Sequence, residues 1–292
     1  MERKIPTNPP VMKIDRHKNL SQAELINEYV SKRKPVILTE AALPWKAMEK
    51  WTPEFFKNNY GHIERSVNGK KIKMADQMEM LFNSTAENPA PYPYNFNMEN
   101  IFPELINDTL PRLIYGKADR ILNSMMPKAL IQRTQVHELF FGGCGGVFPL
   151  HFDELFMHTQ ITQIYGRKEF YMFPPDQEKF LYPDETHFKR SRITNIFNVD
   201  IEKFPLFTQS TPVVEMLSHG ETLFFPNRWW HTTLMPGPSI TYGSSHLNKH
   251  NWDLFLSDYY NYFKKTMPLK SAALYTYGKV LGKVMDVRES IS

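Results

Sequence analysis

A single cysteine, Cys144, stands in 292 residues. One thiol cannot build a disulfide framework or a cysteine-based zinc site, and it fits a reducing compartment, so a cytoplasmic protein is expected, with the nucleus also open. No run of about 18 apolar residues is present to span a bilayer, and "MERKIPTNPPVMKID" lacks the apolar stretch of a signal peptide, so a soluble chain with no membrane partner is expected. Charge of one sign is not in excess either. With 35 basic against 31 acidic residues and no polybasic stripe, the sequence argues against nucleic acid as a partner. Glycine is scarce beside proline, 13 against 22, which favours strand ends and rigid turns over a helical bundle. There is no internal repeat. Apolar and aromatic residues are plentiful, at 41% and 14%, as in an ordinary folded domain with a substantial core.

Along the chain, "SQAEL" places Glu24 three residues after Ser21, a capping box for a helix over 22–31. "KPVILTE" reads as a short buried strand. Thr52 before Pro53, with Gly61 beyond, marks a short helix. Residues 62–73 form a polar hairpin, and 84–95, with Pro89, Pro91 and Pro93, is a loop able to lie over a site. From about 132 the pattern turns to short alternating or apolar runs: "TQVHELFF", "MHTQITQIY", "KEFYMF", "PVVEML", "TLFFP", "WWHTTLM" and "SITYGSS". Such spacing predicts a barrel or jelly roll. Residues 251–290 turn helical, and Leu274, Tyr277, Leu281 and Val284 fall on one apolar stripe, for packing on the barrel or for a homodimer seam. Three regions follow: an N-terminal helical and strand region over 1–130, a β core over 131–250, and a helical extension over 251–292.

The chemistry concentrates in "FPLHFDELFMHTQITQIYGRKEFYMFPPD". His151 and Asp153 are two apart, so on a strand they share a face and can hold one ion. His231, in "FPNRWWHTTL", is either a core histidine bonded to a backbone carbonyl or a third ligand. Two histidines and a carboxylate make a facial triad with open positions on Fe(II). Lys168 is either a solvated lysine on an outer face or an inward one. An inward lysine needs an anion, and with no acid paired to it in the sequence a bound dicarboxylate is the economical choice. His219-x-Glu221 has the same spacing and could also be a metal pair.

The order of these motifs, a glycine-rich turn, His151-x-Asp153, "GRK" leading to "FPP", then "GETLFFPNRWWH" and "SITYGSSH", resembles the JmjC, or cupin-8, family of Fe(II)/2-oxoglutarate oxygenases of the hydroxylase type. The likeness covers roughly 130–248 and reaches into "KPVILTEAALPWKAMEKWTPEFFKNNYG". It implies a mainly β fold, a double-stranded β-helix of the cupin-like jelly-roll kind with N-terminal and C-terminal helices. It also implies His151, Asp153 and His231 as iron ligands and Lys168 as partner of the distal carboxylate of 2-oxoglutarate. Two departures stand out. Phe148 occupies a place where many relatives carry a Thr or Ser that helps hold 2-oxoglutarate. Met157 stands where relatives can carry Asn, and counting back from Lys168 puts Thr159 there instead, a candidate for cosubstrate contact. His158 and His137 read as satisfied strand histidines.

The resemblance implies C–H hydroxylation of a protein or peptide side chain or of a small molecule, using Fe(II), 2-oxoglutarate and O2 and releasing succinate and CO2. Trp229, Trp230, Tyr92 and Tyr94 could wall a substrate cleft or pack in the core. Two other readings stay open: a non-catalytic cupin-like binding module, and a metal-dependent cupin enzyme that does not use 2-oxoglutarate.

Overall fold

The computed structural model describes residues 12–113, 119–131 and 136–291. The first part of the N-terminal segment and the Thr134 and Gln135 of "TQVHELFF" lie outside the described residues. Twelve strands are assigned among the described residues: β1 Asp15–His17, β2 Val36–Leu38, β3 Glu64–Val67, β4 Lys70–Lys73, β5 Asn95–Asn97, β6 His137–Gly142, β7 Val147–His151, β8 His158–Phe173, β9 Val213–Ser218, β10 Thr222–Phe225, β11 Trp230–Leu234 and β12 Ser239–His246. One sheet runs β1-β2-β10-β8-β12-β6-β5, while β11 and β9 pair with the second half of β8 and β7 pairs with β11. The result is the mainly β jelly roll with helical additions that the alternating runs predict.

"MHTQITQIY" and "KEFYMF" read as two strands parted by a "GR" turn, but they form one 16-residue strand, β8. Its first half pairs with β10 and β12, its second with β9 and β11. Gly166 allows this passage between sheets, because its φ of +69° is open to glycine and a Cβ there would stand 2.0 Å from the Pro238 carbonyl oxygen. Gly166→Ala is therefore expected to cost more than ~2 kcal/mol in urea denaturation. Gly237→Ala, with nothing within 4 Å of the added carbon, should be near neutral.

Local signals resolve as expected at several places. Ser21 and Glu24 make the reciprocal capping box, ahead of a helix that continues as a π-turn over Leu25–Val30. Thr52 caps Pro53–Tyr60 by accepting from the Phe55 N–H, although Gly61 stays right-handed. Asn68 and Gly69 both take positive φ in the β3–β4 turn, the tight hairpin geometry. The outer faces of β6, β8 and β12 (Leu139, Phe141, Ile164, Ile240, Tyr242) share one core with Trp51, Phe56 and Phe102 of the N-terminal region.

Helices Trp252–Phe263 and Pro268–Ile291 pack together at the other end. Here the expected stripe divides. Leu281 is buried and Leu274 partly so, but Tyr277 and Val284 are 46% and 40% exposed. The buried face is set instead by Gly278 and Gly282, where a Cβ would meet Leu256 at 2.4 Å and Trp252 at 2.5 Å. These two close approaches rotate the helix so that Ser271, Leu281 and Met285 point inward.

Candidate metal centre

His151 ends β7 and His231 sits in β11, and the two are directly opposed in the antiparallel β7–β11 register. Eighty positions of sequence thus collapse to one cross-strand pair, with ring centroids 4.3 Å apart. Each imidazole places Nδ1 against a carbonyl two residues back: His151 on Pro149 O at 2.8 Å and His231 on Trp229 O at 3.1 Å. Donation from Nδ1–H fixes the tautomer and leaves the Nε2 lone pair for a cation. Bonding to a backbone carbonyl and a free Nε2 able to ligate are therefore compatible at His231.

Asp153 lies just past β7, its Oδ1 3.5 Å from His151 Nε2 and 3.8 Å from His231 Nε2. Both separations fall below the ~4.2 Å that two bonds of ~2.1 Å can span. These three residues are the one group of metal-ligating side chains found among the described residues. Thr159 donates its hydroxyl to Asp153 Oδ2, so it orients the carboxylate directly. Phe148 and Phe225 flank the two imidazoles at 4.6 and 4.8 Å between centroids, an apolar collar beside the cluster.

The electrostatics suit a cation. Burial pushes the Asp153 carboxyl upward, but His231, His151 and the Thr159 hydroxyl outweigh it and hold the group below the usual carboxylate range. Burial, reinforced by His151, lowers His231 to about 4, so it is neutral and able to ligate at pH 7.

Lys168 is on the inner face of β8 and 3% exposed. Its ammonium has a 3.5 Å contact with the Tyr92 hydroxyl and lies over the rings of Phe140 and Tyr92, with no carboxylate partner among the described residues. Burial alone lowers it to about 7. Close by in the fold, the buried Thr233 hydroxyl makes no hydrogen bond of ordinary geometry. Thr233 and the Tyr92 hydroxyl escape a motif search because one alternates anonymously within "WHTTL" and the other comes from the proline-rich loop. Phe148 contacts the rings of Tyr92, Phe140 and His151, so the position that lacks a hydroxyl is part of the pocket wall.

Other expectations are sorted by position. Trp229, Trp230 and Tyr94 are 2%, 0% and 0% exposed in apolar clusters, so they are core residues and not cleft walls. Met157 packs with the C-terminal helices. His158 bonds Asn248 and the Asn227 N–H, and His137 bonds Glu99, as satisfied histidines do. Glu221 accepts from Ser218 N–H and pairs with Arg16, while His219 meets the Ile164 carbonyl, which fits a turn around Gly220. Glu138, on the strand face that carries Phe140, accepts from Asn95 Nδ2 at 2.9 Å, and burial raises it to about 7.

The family called cupin-like domain matches residues 21–242. The chain belongs to this cupin-like family. Among curated relatives, HSPB1-associated protein 1 of Rattus norvegicus is 34% identical over 100 residues, covering 33% of this chain and 21% of its own. Lysine-specific demethylase JMJ21 of Arabidopsis thaliana is 25% identical over 256 residues, 84% of this chain and 26% of its own. Arginine-specific demethylase JMJ20 of Arabidopsis thaliana is 24% identical over 285 residues, 83% of this chain and 59% of its own. The matched cupin-like region thus spans between about a fifth and three fifths of these relatives' lengths. No helix among the described residues of this cupin-like protein is long and apolar enough to cross a membrane.

Proposed function

We propose that this cupin-like protein is an Fe(II)- and 2-oxoglutarate-dependent oxygenase that hydroxylates a C–H bond of a peptide or protein side chain or of a small molecule. The observation that carries the reading is Lys168: a buried ammonium without a carboxylate partner among the described residues, on the same inner barrel face as the His–Asp–His cluster. A metal site alone does not require such a cation. A dicarboxylate that chelates the metal at one end and neutralises the lysine at the other does.

His151, Asp153 and His231 would hold Fe(II), and their mixed nitrogen and oxygen donors fit the two-histidine, one-carboxylate set. Fe(II) with 2-oxoglutarate and O2 supplies oxidative decarboxylation to succinate and CO2 coupled to oxidation of a substrate C–H bond. The chain's own residues bind and orient. Lys168, with the Tyr92 hydroxyl beside it, would hold the distal carboxylate, Thr159 holds Asp153 in place, and Phe148 and Phe225 pack against the imidazoles. The demethylase names of the Arabidopsis relatives are compatible with this chemistry, since hydroxylation of an N-methyl carbon gives an N-hydroxymethyl group whose C–N bond breaks to leave N–H and formaldehyde.

The test is succinate formation from 2-oxoglutarate by the purified protein, with omission of Fe(II), of O2 and of protein in turn, followed by mass spectrometry of candidate peptides and metabolites for a gain of about 16 Da. Succinate above background in the complete mixture alone is expected. Equal succinate in all mixtures refutes the assignment.

A further inference from the structure

We propose that Lys189 is a positioning residue for Asp153 and that it makes the C-terminal helices part of the metal centre. This rests on the reading of Asp153 as a metal ligand. Asp153 is the one member of the cluster outside a strand, so its carboxylate is only as fixed as the turn that carries it. That turn is strained. Leu155 and Phe156, consecutive and neither of them glycine, take φ of +57° and +51°. Such backbone persists only where the surroundings over-determine it.

Lys189 holds the residue on each side of Asp153. Its carbonyl accepts from the Phe152 N–H at 3.0 Å, in a short ladder that also joins Arg190 to His151 and the Ser191 N–H to the Leu150 carbonyl. Its ammonium donates to Glu154 Oε2 at 2.9 Å and to Asp258 Oδ2 at 2.5 Å, and it lies over the rings of Phe156 and Phe188. Asp258 belongs to helix Trp252–Phe263, and Lys189 and Asp258 are both largely buried. A second tether runs the same way: Asn251 Nδ2 donates to the Phe156 carbonyl at 3.1 Å. Leu155 and Met157 then bury their side chains against Trp252 and Phe255. The strained turn is thus clamped to the helical extension, with Lys189 as the only charged link between them, among the described residues, that also touches the ligand's neighbours.

The test uses the full-length apoprotein titrated with Co(II) alone, read by its visible ligand-field spectrum and by affinity. Lys189→Met keeps the main-chain bond and the aliphatic stem but removes the ammonium. It is expected to weaken Co(II) binding about 10-fold or more, the range for groups that orient metal ligands, and to alter the band shape. Lys189→Arg should restore both, and Asp258→Asn should reproduce part of the loss. Asp286→Asn is the control: it cuts the Arg120–Asp286 ion pair that fastens the same helices away from the metal, so it should lower thermal stability without moving the Co(II) spectrum. Wild-type affinity and spectrum in Lys189→Met, or equal spectral loss in Asp286→Asn, overturns the inference while leaving the metal reading intact. A wild-type protein that binds no Co(II) overturns both.

Discussion

Asp153→Ala is expected to abolish stoichiometric metal binding, with metal affinity down by about 10²- to 10³-fold and succinate formation at background. Structural zinc sites bind with ~10–16 kcal/mol spread over four ligands, which makes one ligand worth ~3–4 kcal/mol, or ~10²- to 10³-fold in affinity. In this site the loss falls on the only anionic donor of the three, so two imidazoles are left to hold a dication. The fold itself should tolerate the change. The neighbouring rings of Phe148 and Phe225 remain packed, and what the metal-free fold gives up is the set of contacts with His231, His151 and the Thr159 hydroxyl that favours the Asp153 charge. The decisive measurement is thermal melting with and without metal. A ligand that binds only the native state raises the midpoint by mass action, so added metal should raise the wild-type midpoint and leave that of Asp153→Ala unmoved. A variant that keeps its metal-dependent rise would remove Asp153 from the ligand set.

The ionic parts of this site were legible in the sequence because ionisable groups in an apolar run need a reason. His151, Asp153 and Lys168 attract notice by their cost, and the spacing that puts His151 and Asp153 together is local. The pairing of His151 with His231 is not local. It follows from the β7–β11 register, which no window of sequence contains. The same limit explains β8. A glycine between two alternating runs signals a turn, and only the two sets of partner strands show that the chain bends at Gly166 and continues. Thr233 and Lys189 were silent, and Tyr92 was noticed only for its ring, for another reason: hydroxyls and lysines are common, and their roles come from what faces them. Only part of the helical stripe packs on the fold, because periodicity registers apolar side chains and is blind to glycine. In Pro268–Ile291 the tightest contacts are made by Gly278 and Gly282, so the buried face is turned away from Tyr277 and Val284.

Lys168→Met should move stability and cosubstrate affinity in opposite directions. The buried ammonium has no carboxylate partner among the described residues, and replacing a poorly compensated buried charge by an apolar group of similar length typically stabilises by ~1–4 kcal/mol. The same change removes the charge that would meet the distal carboxylate, so 2-oxoglutarate binding to the Zn(II)-loaded protein should weaken at least ~100-fold, the loss of a buried charge-assisted pair. The pH dependence gives the sign independently. Lys168 is lowered to about 7 in the fold from 10.5, so between those values the unfolded chain binds the extra proton. Wild-type stability should therefore rise with pH from about 7 towards 10.5 by a few kcal/mol, and stay flat in this contribution below 7. The advantage of Lys168→Met should be greatest at and below pH 7 and shrink above it. Affinity for 2-oxoglutarate runs the other way: the dianion needs the protonated lysine, so wild-type binding should weaken up to about tenfold per pH unit above 7, while that of Lys168→Met stays level. Urea denaturation and calorimetric titration of both proteins at pH 6.5 and 9 decide the matter. A variant that is less stable than wild type at pH 6.5, or a wild-type affinity that does not fall by pH 9, would mean that Lys168 meets some other anion in the native protein.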